Sequence, residues 1–124
     1  MKLMRINGLS EKDLRKFYDI SQGWAGDWRK PITAMLELVV YLEDVVDFPP
    51  QWVFTSHENL VFAAQDDSRQ GTVSVHPLGE RHLGPAKAKF EINHNVEAPW
   101  SHTVGYAEDV EQAWQMIVSV LPKL

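Results

Sequence analysis

Residues 51–64, Gln51-Trp52-Val53-Phe54-Thr55-Ser56-His57-Glu58-Asn59-Leu60-Val61-Phe62-Ala63-Ala64, mark where the apolar period of this chain changes from helical to alternating. Trp52–Ser56 reads as a strand, His57-Glu58-Asn59 as a turn, and Leu60–Ala64 as a second strand. Working toward the C-terminus, Asp66-Asp67-Ser68-Arg69-Gln70-Gly71 is a polar turn before a strand over Thr72–His76. A Pro- and Gly-rich loop, Pro77 to Pro85, precedes a longer strand over Ala86–His94, and a last strand covers Trp100–Tyr106. Short polar connections favour pairing between sequence neighbours, hence an antiparallel meander of about five strands.

The strand phases assign two faces. Val73 and Val75 share one, as do Ala88, Phe90 and Ile92, and as do Trp100, Val104 and Tyr106. The opposite phase carries Thr72, Ser74 and His76, then Lys87, Lys89, Glu91 and Asn93, then Ser101 and Thr103. One face is therefore apolar and receives helices, and the other is polar.

Upstream of the strands the period is helical. Ser10 can cap a first helix, with Asp13 in its first turn and Leu9 and Leu14 spaced as a hydrophobic staple. Leu14, Phe17 and Tyr18 fall on one face, and the helix is expected to end near Ser21, before Gly23. A second helix, opened by Pro31 and stopped by Phe48-Pro49-Pro50, is apolar around most of its circumference, as expected of a helix covered on more than one side. At the other end Val110, Ala113, Trp114, Ile117, Val118 and Leu121 form a helical stripe ended by Pro122. Met1–Ile6 leaves room for a small extra strand. The expected fold is a single α+β domain over residues 1–124, with two N-terminal helices and one C-terminal helix packed on one sheet face.

Composition narrows the function classes. The 124 residues include no cysteine, which excludes disulfide scaffolds, thiolate metal sites and thiol nucleophiles. Twelve basic against 17 acidic side chains give a net charge of −5, the wrong balance for a general nucleic-acid binder. No apolar run approaches the ~18 residues of a membrane span, and Met1-Lys2-Leu3-Met4-Arg5 leads into no signal-peptide core. A cytoplasmic domain with no membrane partner is the resulting expectation.

The charge is uneven along the chain. Residues 1–30 carry seven basic and four acidic side chains, for +3, whereas residues 31–85 carry two and eight, for −6. Glu37, Glu43, Asp44, Asp47, Glu58, Asp66 and Asp67 in that middle segment are candidates for meeting a cationic partner; the alternative is a merely solvated helix face. Trp24 and Trp28 flank glycine in a loop, where large amphipathic rings often anchor partners. They can equally fold back over an open end of the core, each indole N–H finding a carbonyl.

The five histidines (57, 76, 82, 94 and 102) all lie in the strand region, but with no H-x-H, HExxH or facial-triad spacing that would bind metal. If the hairpin around Asn95–Pro99 pairs simply, His94 opposes Trp100 and His102 opposes Ile92, making the two histidines diagonal neighbours on the apolar-phase face. Such a pair could work as acid and base, or simply be half-buried and hydrogen-bonded. No nucleophile elbow, phosphate-binding loop or cofactor motif occurs.

The register Trp52-x-Phe54-x-Ser56, Leu60-x-Phe62, Asp67 and Gly71-x-Val73-x-Val75, with a closing helix bearing Ala113 and Met116, resembles small α+β immunity proteins of bacterial toxin systems over about residues 50–120. That resemblance implies a non-catalytic inhibitor, without cofactor, that neutralises a cognate toxin, often a basic nuclease, by charge complementarity. The element order also resembles the helix-grip arrangement, which implies an apolar-ligand cavity lined by Phe90, Ile92, His102, Val104 and Trp114. An enzyme using His94 and His102 is the third reading.

Overall fold

The computed structural model describes residues 1–6, 11–24, 26–67, 71–79, 81–97 and 100–121. Six strands form one sheet in chain order: β1 (Leu3–Arg5), β2 (Gln51–Ser56), β3 (Asn59–Ala63), β4 (Gly71–Pro77), β5 (Phe90–Glu97) and β6 (Trp100–Ala107). β2 through β6 form the expected antiparallel meander. β1 adds a parallel edge, with Leu3 opposite Gln51 and Arg5 opposite Val53, so the sheet is mixed and has six strands rather than five. Three residues are too few to display alternation, and the parallel sense follows from the long helical crossover between β1 and β2.

That crossover contains α1 (Glu11–Phe17) and α2 (Arg29–Glu43); α3 (Val110–Val120) closes the fold. The proposed Ser10 cap and Leu9 staple lie outside the described residues, as does Pro122. α1 stops before the expected Ser21. There the Asp19 carboxylate accepts from both the backbone N–H and the hydroxyl of Ser21, at 2.9 and 2.8 Å, and caps a separate 3₁₀ turn over Ile20–Gln22. Such local side-chain bonds compete with helix continuation. Gly23 then turns the chain with a φ of 111°, in the left-handed region that favours glycine.

α2 begins two residues ahead of Pro31 and ends at Glu43, before the Phe48-Pro49-Pro50 block. The N–H of Asp44 reaches back to Val40 and Tyr41, and Asp47 takes a φ of 57°, so the backbone leaves the helix before proline is met. Ile32, Met35, Leu38, Val39 and Leu42 are fully buried on this helix. Each large apolar side chain so buried is worth roughly 1.5–3 kcal/mol.

Two inward rows of the sheet meet the helices: Thr55, Leu60, Val75, Ile92 and Gly105 in one, and Val53, Phe62, Val73 and His94 in the other. The side chains of Val53, Leu60, Phe62, Val73, Val75 and Ile92 have no solvent exposure. Tyr18 is equally buried and donates its hydroxyl to the Glu58 carbonyl at 3.0 Å, tying α1 to the β2–β3 turn. Phe48 meets Trp114 of α3 edge-on, ring centroids 5.0 Å apart.

The strand phases need two corrections. Register shifts between Ile92 and Asn93 and between His94 and Glu97 re-phase the last hairpin. Gly105 and Ala107 therefore face the helices and Tyr106 pairs with Glu91 on the outer face, contrary to the expected inward Tyr106. The outer face is also less polar than expected, because Phe54 and Val61 stand in the same row as Ser74, Asn93 and Thr103. The expected strand over 86–94 begins only at Phe90; residues 86–89 belong to the preceding loop. The ring of Trp100 lies outside the described side chains.

Candidate functional site

The topology sorts the acidic side chains. β2 leaves and β3 returns to the same end of the sheet, where Trp52 pairs with Ala63, so Asp66 and Asp67 sit at the end where β2 begins. The C-terminus of α2 arrives there too. The Met1 amino group donates to the carbonyls of Glu43 and Val45, and the Gln51 N–H donates to the Lys2 carbonyl at 2.9 Å. Glu43, Asp44, Asp47, Asp66 and Asp67 thus gather at one end of the molecule. Glu58 occupies the β2–β3 turn at the opposite end, and Glu37 sits farther back along α2. Five of the seven sequence candidates are brought together and two are not.

Within this acidic end the groups differ in availability. Glu43 takes a bidentate contact from Arg15 of α1, Nε to Oε1 at 3.1 Å and Nη2 to Oε2 at 2.9 Å, which raises the arginine pKa. Asp44, Asp47 and Asp66 are exposed. Asp47 owes its position to the left-handed turn after α2, a conformation aspartate tolerates better than most residues.

The two loop tryptophans separate. Trp24 folds back: its indole N–H donates to the Phe17 carbonyl at 2.8 Å, and its ring meets Phe17 edge-on at 5.6 Å between centroids. Trp28 retains 40% of its surface and stands immediately before α2. The 15 residues of α2 put about 22 Å of helix between it and the acidic end.

The histidines do not assemble as expected. His94 pairs directly with His102 rather than diagonally, and Trp100 opposes Glu97, because of the register shift in that hairpin. His94 is half-buried and His102 exposed. No group of three His, Asp or Glu among the described residues is arranged to hold a metal ion. The outer face instead holds a contact that the sequence reading missed: Ser74 Oγ lies 3.0 Å from His76 Nε2. Next to it Asn93 donates to Glu91 at 3.1 Å and accepts from Thr103 at 3.1 Å. Burial lowers the His76 pKa, against the opposing pull of Glu91 and Glu58. The alternation Thr72-Val73-Ser74-Val75-His76 signals that Ser74 and His76 share a face, but not that they touch.

Three of the side chains expected to line a helix-grip cavity belong to the core cluster. Phe90 and Ile92 are fully buried, and Trp114 is 8% exposed within the packed core. A cavity of about 450 Å³ instead opens between the first turns of α2 and the loop that joins β4 to β5. Arg29, Lys30, Lys87 and Lys89 line it together with His82 and Glu37. The cationic side chains of α2 and of the loop lie almost 60 residues apart in the sequence, so no local motif announces them. None of the described helices is long and apolar enough to cross a membrane. In comparisons with protein-family models, curated proteins and solved structures, none matches this chain.

Proposed function

We propose that this chain is a non-catalytic inhibitor of the immunity type, which neutralises a basic cognate protein, such as a nuclease toxin, by docking its acidic end against the partner's cationic site. The observation that carries this reading is the convergence of Glu43, Asp44, Asp47, Asp66 and Asp67 at one end of the sheet. Asp44 and Asp47 stand exposed within that cluster, and a basic partner gains from the negative potential they add as it docks. Complementary fields of this kind also raise association rates by 10–10³-fold at low salt.

The frame suits the role. The helix end is held by the Met1 and Arg15 contacts, and the strand ends by the sheet ladder. Binding then costs little ordering of the backbone. Among the described residues His94 and His102 face each other across a bulged hairpin, and neither is hydrogen-bonded to a carboxylate. These features favour recognition over chemistry.

The test is protection in cells. The protein encoded beside this chain is expressed under an inducible promoter, with and without this chain, and growth is followed. The proposal expects the neighbour to arrest growth and this chain to relieve the arrest, with a complex recoverable by size exclusion. A harmless neighbour, or a toxic one that this chain neither binds nor counters, contradicts it.

A further inference from the structure

The cavity at the other end of the molecule has no part in an acidic docking surface, and its chemistry is of opposite sign. We propose that it binds a small organic anion, a phosphate or carboxylate on a compact apolar body, between the first turns of α2 and the β4–β5 loop. This inference does not rest on the protein-binding reading.

Charge is the first argument. The described lining residues include four cationic side chains, Arg29, Lys30, Lys87 and Lys89, and a single carboxylate, Glu37. In a chain carrying −5 overall, such an excess of cations around one concavity sets a local field opposed to that of the whole. The two walls share the work. Arg29 comes from α2, and Lys87 and Lys89 from the loop, so an anion held between them would be contacted from both sides without calling on Lys30. Arginine adds a planar fork suited to carboxylate and phosphate oxygens. His82 contributes a further donor: its Nδ1 accepts the Gly84 N–H at 3.0 Å, so the neutral ring carries its proton on Nε2.

The floor is the second argument. Pro31, Ala34, Leu78 and Ala88 line the same cavity, and small or apolar side chains there leave room for a hydrocarbon body beneath the charged rim. The volume of about 450 Å³ lies within the range of small-molecule sites.

Pre-formation is the third. The loop is stitched at its base, the Leu78 N–H donating to the Lys89 carbonyl at 3.0 Å and the Lys89 N–H to the Ala107 carbonyl at 2.8 Å. Inside it, His82 donates its N–H to Gly79 at 3.2 Å and Ala88 to Pro85 at 3.0 Å. Gly84 lies so close to the Tyr106 ring that an added Cβ would stand 2.8 Å from it. The loop wall is thereby held against the sheet before any ligand arrives.

The experiment titrates the intact chain with phenyl phosphate and with benzoate, and with benzyl alcohol and inorganic phosphate as counterparts lacking the charge or the apolar body. Binding is followed by calorimetry and thermal shift. Saturable binding of at least one organic anion is expected, weakening as salt is raised, with both counterparts at least about tenfold weaker. Lys87→Ala/Lys89→Ala should weaken binding by about tenfold or more, the equivalent of one charge-assisted hydrogen bond. Both lysines are exposed, so the variant is expected to fold; Arg29→Ala on the opposite wall gives a second, independent reading. Lys2→Ala, at the far end of the molecule, should change nothing. The proposal is overturned if neither anion saturates, if a counterpart binds as tightly, or if the wall variants bind like the parent chain.

Discussion

Replacing Trp24 and Trp28 one at a time by phenylalanine separates two roles that look alike in the sequence. Both substitutions shrink an indole to a phenyl ring and keep an aromatic side chain, so the loss of ring area is similar in each. Only Trp24→Phe also removes a hydrogen bond, the 2.8 Å contact from the indole N–H to the Phe17 carbonyl at the end of α1. A hydrogen bond of this kind contributes about 0.5–1.5 kcal/mol net, and an acceptor left without a partner adds to the cost. The edge-on contact with Phe17, at 5.6 Å, is worth about 0.5–1.5 kcal/mol, and part of it goes when the ring shrinks. Trp28 has no aromatic contact and no indole hydrogen bond among the described residues, and it keeps 40% of its surface. Trp24→Phe should therefore cost about 1–2 kcal/mol more than Trp28→Phe. For a domain of this size that is a difference of roughly 3–8 °C in Tm. Urea and thermal unfolding followed by circular dichroism measures it without relying on the fluorescence of the altered residues. Equal costs, or a larger one for Trp28→Phe, would refute the assignment of Trp24 to the fold and of Trp28 to the surface.

Three further outcomes follow from the structure. Burial lowers the His76 pKa in the fold from its ordinary value near 6.5, so the unfolded chain takes up that proton more readily. The stability this contributes is intact above about pH 6.5 and is lost as the pH falls below it, so His76→Gln should flatten the decline in unfolding free energy between about pH 7.5 and 5.5; an unchanged slope contradicts it. Gly84→Ala should cost about 1–2 kcal/mol by driving a methyl group against the Tyr106 ring, and the cost should vanish in a Tyr106→Ala background. The Arg15–Glu43 contact is largely exposed on the arginine side, so Arg15→Ala should lower Tm slightly at low ionic strength and not at all in about 1 M NaCl.

Much of the fold was legible because burial on one face imposes a period. The alternation in Thr72–His76 and the short apolar runs of Trp52–Phe54 and Leu60–Ala64, bounded by polar turns, identified three strands, and the stripe from Val110 to Leu121 identified α3. What escaped depends on contacts between distant residues. A bulge carries no side-chain signature of its own, so the outward turn of Tyr106 and the direct pairing of His94 with His102 could not be read from spacing. β1 is too short to alternate, and α2 ends on backbone geometry at Asp44 and Asp47 rather than at the prolines.

The acidic residues were visible as a run, and topology decided which of them meet: Glu58 and Glu37 looked equivalent to Asp44 and Asp47 until the strand directions placed them. The cavity was invisible for the same reason. Its cations lie in two segments that read as a helix start and a strand, and the second is a loop held in place by Gly84, Leu78 and Lys89.

The central claim, that the acidic end is what the partner reads, is tested most directly by comparing two variants with the same charge change at different places. Asp44→Lys/Asp47→Asn and Glu37→Gln/Glu58→Lys each add three positive units, and asparagine keeps the left-handed turn at residue 47 tolerable. Their affinities for the neighbouring gene's product are measured by calorimetry against the parent chain. Close charge pairs across interfaces couple by about 1.5 kcal/mol or more, so the first variant should bind about 100-fold more weakly and the second within about threefold of the parent. Equal losses in the two, or undiminished binding by the first, would contradict the account.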